Sequence, residues 1–320
     1  VSYKLVDHNM YSNFLQLWNT TLWMIYYFLI LSMKYLNSKE VAMIMGVHVS
    51  TVKRWTDSGE LPCYQTPGGH RKFILSHINE FLAKNKKKAK KVNVVELEGI
   101  KDRKLIQNID HGEYKKLIPV FLKQALNADG DRLKTTLTGL YLKQYFLHEI
   151  YDTLVLPVMK LIGEMWANNE ISIAEEHLAT NTIKNAVYAL GETLERKDYK
   201  DNSYLLSLAL SGDEHDLPLI MTKQILEVSG IPVINCGCNT PANSIKKLLK
   251  KFQPDKIIVS LTYIENKQLA KQELNHLFEI ISDYQVTIYV GGSNISYLSK
   301  QQYNKAKILY CMTDVSKILF

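Results

Sequence analysis

The spacing of apolar residues changes along the chain, and each change marks a different kind of structure. Residues 34–85 show short helical patterns and a glycine-rich turn, whereas residues 99–197 carry apolar positions three and four apart over long stretches. The second pattern predicts four amphipathic helices packed as a four-helix bundle. In residues 203–320, short apolar runs such as KIIVSL and VTIYVGG alternate with amphipathic stretches of helical length. That alternation is typical of a parallel, Rossmann-like α/β sheet, so the fold class is multidomain.

Residues 1–33 form an apolar extension with no charged residue between Asn9 and Met33. A secretory signal peptide is disfavoured, because no basic segment precedes the apolar run and no small-residue cleavage site follows it. A membrane-spanning helix needs about 20 apolar residues, and polar residues between Gln16 and Thr21 interrupt this run. We therefore expect a cytoplasmic protein with no membrane partner, and we assign no role to the extension.

Positive charge is concentrated in one part of the chain. The formal net charge is +7, while residues 34–91 hold 12 Lys and Arg against 4 Asp and Glu, which is +8 and leaves −1 for the remainder. The run KKKAKK begins residues 86–98, which we interpret as a solvated basic linker. A basic segment attached to a near-neutral body indicates that this segment binds a polyanion.

Two short helices joined by a tight turn are predicted within the basic segment. Ser38 is expected to cap the first helix, Gly46 to form the turn, and Ser50 to cap the second helix. This layout is a helix-turn-helix, in which the first turns of the second helix reach base edges and phosphates in the major groove. The predicted DNA contacts in that helix are Ser50, Thr51, Lys53 and Arg54.

The stretch TPGGHRKF follows the second helix and predicts a tight turn between two strands. His70, Arg71 and Lys72 are expected at its tip, where they can track a phosphate backbone as a wing. Residues 34–85 closely resemble the DNA-binding domain of the MerR family of transcription regulators. The resemblance implies an α winged helix-turn-helix that binds a double-stranded DNA operator as a dimer.

The loop GDEHDLP places His215 two residues after Asp213 and directly behind the apolar run SYLLSLAL. In an open α/β sheet, ligands bind at the carboxyl ends of the strands. A metal-bound imidazole usually donates its other N–H to a carboxylate, which Asp213 can accept. Ser260 and the pair Gly291 and Gly292 end two later predicted strands, so all of these residues are expected to converge on one edge of the sheet.

These three elements resemble the cobalamin-binding domain, with its D-x-H-x-x-G, S-x-L and G-G motifs. The resemblance implies that the base of the cobalamin leaves the cobalt and enters a groove of the sheet, while His215 becomes the lower axial metal ligand. Asp213 would hydrogen-bond His215, and Ser260 would lie against the tail or against this hydrogen-bonded pair. Gly291 and Gly292 would leave room for the nucleotide tail.

Two residues depart from these motifs. Pro218 stands at the motif glycine, and Thr262 stands at the leucine of the second motif. A proline fixes φ and lacks an N–H group, so Pro218 either begins the next helix or narrows the tail groove. In the second case the region keeps its fold without binding a cofactor, and both interpretations stay open.

Trp166 is followed, after nine residues, by Glu176 and His177. This spacing resembles the W-x(9)-E-H motif of the CarH/LitR light-sensing repressors. The resemblance implies that the bundle covers the upper face of the corrin and that the three side chains contact the adenosyl group of adenosylcobalamin. In that family a histidine directly after the tryptophan takes the upper cobalt position once light has broken the cobalt–carbon bond. Here that residue is Ala167, which cannot ligate a metal.

The expected function is a DNA-binding transcription regulator, a repressor and not an enzyme. Bound cobalamin would control its assembly into a homodimer or homotetramer, and thereby its operator binding, with a response to light. A second interpretation retains DNA binding but replaces the cofactor by a protein antagonist, and Pro218 and Ala167 favour it. A third interpretation, an enzyme that is a corrinoid methyl carrier or a mutase fragment, is disfavoured by the DNA-binding segment.

Overall fold

The computed structural model describes residues 35–85, 102–194 and 204–318. The predictions for residues 1–33 and 86–98 lie outside the described residues. The described chain comprises a helix-turn-helix region, a helical region and an α/β region. Within those three stretches, no helix combines the length and apolar character needed to cross a membrane.

The helix-turn-helix region folds around a small apolar core. Its elements are β1 Leu36–Asn37, α1 Ser38–Met45, α2 Val49–Asp57, β2 Tyr64–Gln65, β3 Arg71–Phe73 and α3 Leu75–Lys84. Strand β3 lies between β1 and β2 and is antiparallel to both. Val52 and Trp55 of α2 are buried as their spacing predicts, and the Trp55 ring lies 4.7 Å from that of Phe81 in α3. This packing orients α2 with its polar side outward.

The predicted helix caps in this region are wrong. Asn37, and not Ser38, caps α1, because its side-chain oxygen accepts two backbone N–H groups of the first turn at 2.8 and 3.1 Å. His48, and not Ser50, caps α2, with Nδ1 accepting the Ser50 N–H at 3.3 Å. In both helices an earlier residue with an extended backbone already provides the acceptor, so the serine falls inside the first turn.

The helical region contains long helices and two shorter ones, Arg103–Asp110 and Leu147–Ile150. Its elements are α4 Arg103–Asp110, α5 Tyr114–Leu126, α6 Gly130–Leu142, α7 Leu147–Ile150, a π-helix Tyr151–Val155, α8 Leu156–Ala167 and α9 Ile173–Gly191. The π-helix joins α7 to α8 without a break, directly before Pro157, whose missing N–H cannot continue an α-helical ladder. The spacing of apolar residues in the sequence did not predict helix α4.

The α/β region confirms the predicted parallel sheet. Its elements are β4 Leu205–Ala209, α10 Leu217–Val228, β5 Val233–Asn235, α11 Lys246–Phe252, β6 Lys256–Ser260, α12 Lys267–Ile281, β7 Thr287–Gly291, α13 Lys300–Lys305, β8 Lys307–Leu309 and α14 Met312–Val315. The strand order is β5-β4-β6-β7-β8, and every pair is parallel. The order reverses between β4 and β6, which opens a crevice at their carboxyl ends.

The helical and α/β regions share one apolar core. Asp152 of the π-helix accepts the backbone N–H groups of Met312 and Thr313 at 2.8 and 2.9 Å, and so caps α14. The buried hydroxyl of Tyr151 is hydrogen-bonded to Gln224 of α10. These contacts fix the position of the helices above the carboxyl edge of the sheet.

Candidate cofactor site and nucleic-acid interface

The loop after β4 holds a hydrogen-bonded aspartate and histidine. Asp213 is buried, with 4% of its surface exposed. Its Oδ1 accepts the backbone N–H of His215 at 3.1 Å and lies 3.0 Å from Nδ1 of the same residue. Because an ionised carboxylate can only accept, the ring proton lies on Nδ1. The neutral ring therefore offers the Nε2 lone pair, on a side chain that is 48% exposed.

The other carboxylate oxygen ties this loop to the loop after β6. Oδ2 of Asp213 accepts the backbone N–H groups of Thr262 at 2.7 Å and Tyr263 at 3.2 Å. Four N–H groups therefore converge on one buried carboxylate, which fixes its orientation and that of the imidazole. The Tyr263 ring lies beside the imidazole, with 5.4 Å between the ring centroids.

The charge around His215 favours its protonated form. The hydrogen bond that Nδ1–H donates to Asp213 raises the pKa of His215, burial opposes this, and the carboxylates of Asp213, Glu176 and Asp216 raise the pKa further. A second proton, on Nε2, is therefore held to a higher pH than on a free imidazole. Any metal that binds Nε2 competes with that proton, so ligation is favoured on the alkaline side of this pKa.

A groove of about 230 Å³ opens beside the loop, between the sheet and helices α10 and α14. Its polar lining residues include Ser260, Thr262, Thr222 and Ser293, and Leu156 of the helical region also lines it. The Ser260 hydroxyl bonds that of Thr262 at 2.9 Å. Of the two positions expected for Ser260, the structure gives the one on the groove, and its hydroxyl is bonded to Thr262 and not to Asp213.

The two glycines at the end of β7 are required by the backbone itself. Gly292 has φ +118°, and a Cβ there would lie 2.4 Å from the carbonyl oxygen of Leu261. A Cβ on Gly291 would approach the carbonyl of Leu309 to 3.1 Å. Both glycines also line the groove. A side chain at Gly292 would therefore displace the loop that contains Leu261, whether or not a ligand is bound.

Pro218 lies at the start of a helix and also forms part of the groove wall. It is the second residue of α10, where its missing N–H is not needed. It also lines the groove. The departure from the motif glycine therefore fits the helix and adds a ring to the groove wall.

The residues predicted for the upper side of the site lie at the carboxyl end of α8 and the amino end of α9. Trp166 is the penultimate residue of α8 and is 45% exposed, and the following Ala167 is also exposed. Glu176, in the first turns of α9, accepts the Thr180 hydroxyl at 2.8 Å and lies 3.6 Å from Nε2 of His177. A short connection joins α8 to α9, so the three predicted residues lie at the same end of the helical region.

One face of α9 looks towards the histidine loop. Lys184 forms an ion pair with Asp216 at 3.3 Å, across the boundary between the two regions. Four residues further on, burial and the Asp216 carboxylate raise the pKa of Tyr188. Glu176 lies two turns before Lys184 and is close enough to influence His215. This spacing of four residues puts all three α9 side chains on one helix face.

Several residues of the site carried no recognisable signal in the sequence. Tyr263 and Asn239 contribute through backbone contacts: the Asn239 N–H bonds the Asp213 carbonyl at 2.8 Å, and the Asn239 side chain accepts the Gly212 N–H at 2.9 Å. Asn239 has φ +50°, a conformation that asparagine tolerates better than most residues.

The exposed side of α2 carries the predicted DNA contacts. Ser50, Lys53 and Arg54 are exposed, and Thr51 is half-buried. These side chains lie on the side opposite the buried Val52. The helix thus presents two cations and two hydroxyls in its first two turns.

The hairpin between β2 and β3 differs from the prediction at two residues, because Arg71 and Lys72 both belong to β3. His70 is exposed at the turn and Lys72 is half-buried in β3. Arg71 is not at the tip: it belongs to β3, and its guanidinium is 2.5 Å from Asp57 at the end of α2. The Arg71 side chain is 18% exposed, and it reaches Asp57 from β3, where Arg71 pairs with Gln65 of β2.

Together, these regions define a class of protein: a helix-turn-helix joined to a helical layer and a parallel α/β sheet. Residues 35–86 match a family described as a helix-turn-helix domain, and residues 117–190 match one described as a B12 binding domain. The second match lies within α5 to α9.

Among curated proteins, the chain is similar to the HTH-type transcriptional repressor CarH of Myxococcus xanthus. The identity is 20% over 143 residues, which are 45% of this chain and 46% of CarH. The chain thus spans less than half the length of this relative. The predicted resemblance is confirmed at this level: the chain has a helix-turn-helix domain and a B12 binding domain, and it is similar to CarH.

Among solved structures, the chain is similar to the monomethylamine corrinoid protein of Methanosarcina barkeri. The TM-score is 0.52 at 15% identity, and the match covers 63% of this chain and 96% of that protein. At this identity the similarity shows a shared fold.

Proposed function

We propose that this chain is a transcription regulator, a repressor, that binds operator DNA through residues 35–85. Its ligand would be a cobalamin, bound between α9 and the carboxyl edge of the sheet. The observation that carries the proposal is the pairing of Asp213 with His215, which holds the ring in one tautomer and leaves Nε2 exposed.

Three features of the structure fit a cobalamin. His215 offers one exposed nitrogen, the groove provides about 230 Å³ beside it, and exposed Trp166 stands at the end of α8. When bound, a cobalamin would supply a cobalt ion that accepts an imidazole nitrogen and, in its adenosyl form, a light-sensitive cobalt–carbon bond. His215 would hold the cobalt through Nε2, as its lower ligand.

Each remaining site residue has a role in this proposal. Asp213 keeps the His215 proton on Nδ1 and so keeps Nε2 basic. The groove residues Ser260, Gly291 and Gly292 would border the nucleotide tail. The upper residues Trp166, Glu176 and His177 would contact the upper ligand by stacking and hydrogen bonding. Ala167 offers no ligand, so the illuminated state would differ from that of the CarH/LitR repressors.

The DNA-binding part would act as a winged helix-turn-helix under a four-helix cap. The direct contacts would come from Ser50, Thr51, Lys53, Arg54, His70 and Lys72. Arg71 would instead hold the wing against α2 through its pair with Asp57. If cobalamin binds the assembled homodimer or homotetramer more tightly, it drives assembly, and assembly strengthens operator binding through multivalency.

A second candidate function keeps the DNA binding without the cofactor. Pro218 adds a ring to the groove wall, and Ala167 removes a ligand from the upper side. In this case a protein antagonist would regulate the repressor.

The test is to incubate the purified chain with adenosylcobalamin in the dark, remove free ligand, and record corrin absorbance and molar mass before and after illumination. We expect bound corrin in the wild type and a changed axial-ligand spectrum in His215→Ala. His276→Ala, on α12 and outside the groove lining, is the matched control. Operator binding without any retained corrin would favour the antagonist-regulated repressor. An unchanged spectrum in His215→Ala would refute the ligand assignment.

A further inference from the structure

A second cavity lies within the helical region and shares no lining residue with the groove. Its volume is about 360 Å³. It is bounded by the starts of α4 and α6 and by the carboxyl end of α5. Its walls include Asp102, Val120, Lys123, Gln124, Asp129 and Arg132. A volume of this size is typical of sites for small molecules.

Gln124 points to a ligand in this cavity. The residue is only 5% exposed, yet neither Oε1 nor Nε2 of its amide has a hydrogen-bond partner. Another buried glutamine shows the usual arrangement: Gln224 bonds the Tyr151 hydroxyl and donates to the Val187 carbonyl at 3.0 Å. Native proteins leave few buried amides unpaired, because each unmet group is destabilising. The Gln124 amide lacks one acceptor and one donor, side by side.

The charged side chains around the cavity are balanced. Asp129 and Arg132 form an ion pair at 3.3 Å, and both remain well exposed. Asp102 accepts the N–H groups of Lys104 and Leu105 at the start of α4. Lys123 supplies a second exposed cation. Two carboxylates and two cations favour a ligand that carries both signs of charge, because a singly charged one would meet repulsion on one side.

We propose that this cavity binds a small zwitterion that carries a carboxamide, in the class of amino acids with an amide side chain. The carboxamide of the ligand would pair with Gln124 through two parallel hydrogen bonds. The ligand ammonium would lie towards Asp102 and Asp129, and the ligand carboxylate towards Lys123 and Arg132. Val120 would contact the methylene groups between them. The site is independent of the cobalamin proposal.

The test is calorimetric titration of the full chain with L-glutamine, L-glutamate and L-norvaline. These probes are similar in length but offer an amide, a carboxylate or a methyl group to Gln124. We expect binding to weaken in that order, by about tenfold when the paired hydrogen bonds are lost. Gln124→Leu should abolish the preference for L-glutamine. Arg132→Met, an exposed change that leaves the core intact, should weaken L-glutamine and L-norvaline alike.

Thermal unfolding without ligand provides a second readout. Gln124→Leu should raise Tm, because it removes two unpaired polar atoms. The control Gln224→Leu should lower Tm, because the buried Tyr151 hydroxyl then loses its hydrogen-bond partner. The proposal is overturned if no probe binds at millimolar concentrations, or if L-glutamine binds no better than L-norvaline. Equal lowering of Tm by both glutamine variants would also overturn it, since Gln124 would then be a paired core residue.

Discussion

Replacing Asp213 by asparagine would test whether the Asp213 carboxylate orients His215. The change keeps the size of the side chain but removes its charge and turns one acceptor oxygen into a donor NH₂. In the wild type, Oδ1 accepts two N–H groups of His215, and Oδ2 accepts those of Thr262 and Tyr263. An asparagine can accept on one side only, so two of these four donors would face another donor.

The loss of stability in Asp213→Asn follows from the two N–H donors that are left without an acceptor. At about 1–2 kcal/mol for each stranded donor, the free energy of unfolding should fall by about 2–4 kcal/mol. The matched control is Asp216→Asn in the same loop. Asp216 is paired with Lys184 at a partly exposed site, so its loss should cost about 1 kcal/mol or less.

The pKa of His215 should also change in Asp213→Asn. The carboxylate charge that strengthens this hydrogen bond and raises the pKa in the wild type would be gone, and burial would then lower the pKa. A raised histidine pKa contributes stability that is fully present below the unfolded-state pKa and is lost as pH rises through the folded-state pKa. The stability difference between wild type and Asp213→Asn should therefore be largest in acid and shrink as pH rises through the His215 transition.

The measurements are urea unfolding at several pH values and NMR titration of the His215 ring, both on the chain without ligand. The titration also reports which ring nitrogen carries the proton, and we expect Nδ1 in the wild type. A His215 pKa that stays raised in Asp213→Asn would refute the reasoning, because the carboxylate would then not be its cause. So would an unfolding free energy no lower than that of Asp216→Asn.

Three further predictions concern glycine positions and the DNA-binding surface. Gly292→Ala should destabilise the chain by about 3 kcal/mol in urea unfolding, since its Cβ would meet a carbonyl at 2.4 Å with φ at +118°. Gly163→Ala, in α8 with open space around it, should instead stabilise the chain by about 0.5–1 kcal/mol. A lower stability of Gly163→Ala would contradict the packing of α8. Lys53→Ala should lower the slope of log affinity against log salt by about 1 in operator titrations. Arg71→Ala should weaken binding without changing that slope, because Arg71 is paired with Asp57; a slope change equal to that of Lys53→Ala would make it a phosphate contact.

The sequence predicted the types of element well where spacing and length agreed. The strands β4, β5, β6 and β7 fall within the apolar runs that predict them. Strand β8, Lys307–Leu309, is three residues long, too short for its alternation to be read. The caps at Asn37 and His48 were missed because each is a polar residue close before an equally suitable serine, and the choice depends on backbone conformation.

The site was predictable in outline because carboxyl ends of parallel strands meet at one edge. That rule brings the loops of Asp213, Ser260 and Gly292 together, as found. It does not give the backbone N–H groups of Tyr263 that hold the carboxylate, nor the pairing of Arg71 with Asp57. Those contacts depend on loop geometry and on the register of β3, neither of which leaves a pattern in the sequence.

The shared interior of the helical and α/β regions has a mechanical consequence. Because Asp152 caps α14 and the apolar core is continuous, these two regions should melt as a single cooperative unit. The helix-turn-helix joins the described part of that unit through the carboxyl end of α6, where Leu142 enters its core and Gln144 bonds Asn79 at 2.6 Å. Within the described residues, a strain that arises in the helical and α/β regions would reach the helix-turn-helix through these few contacts.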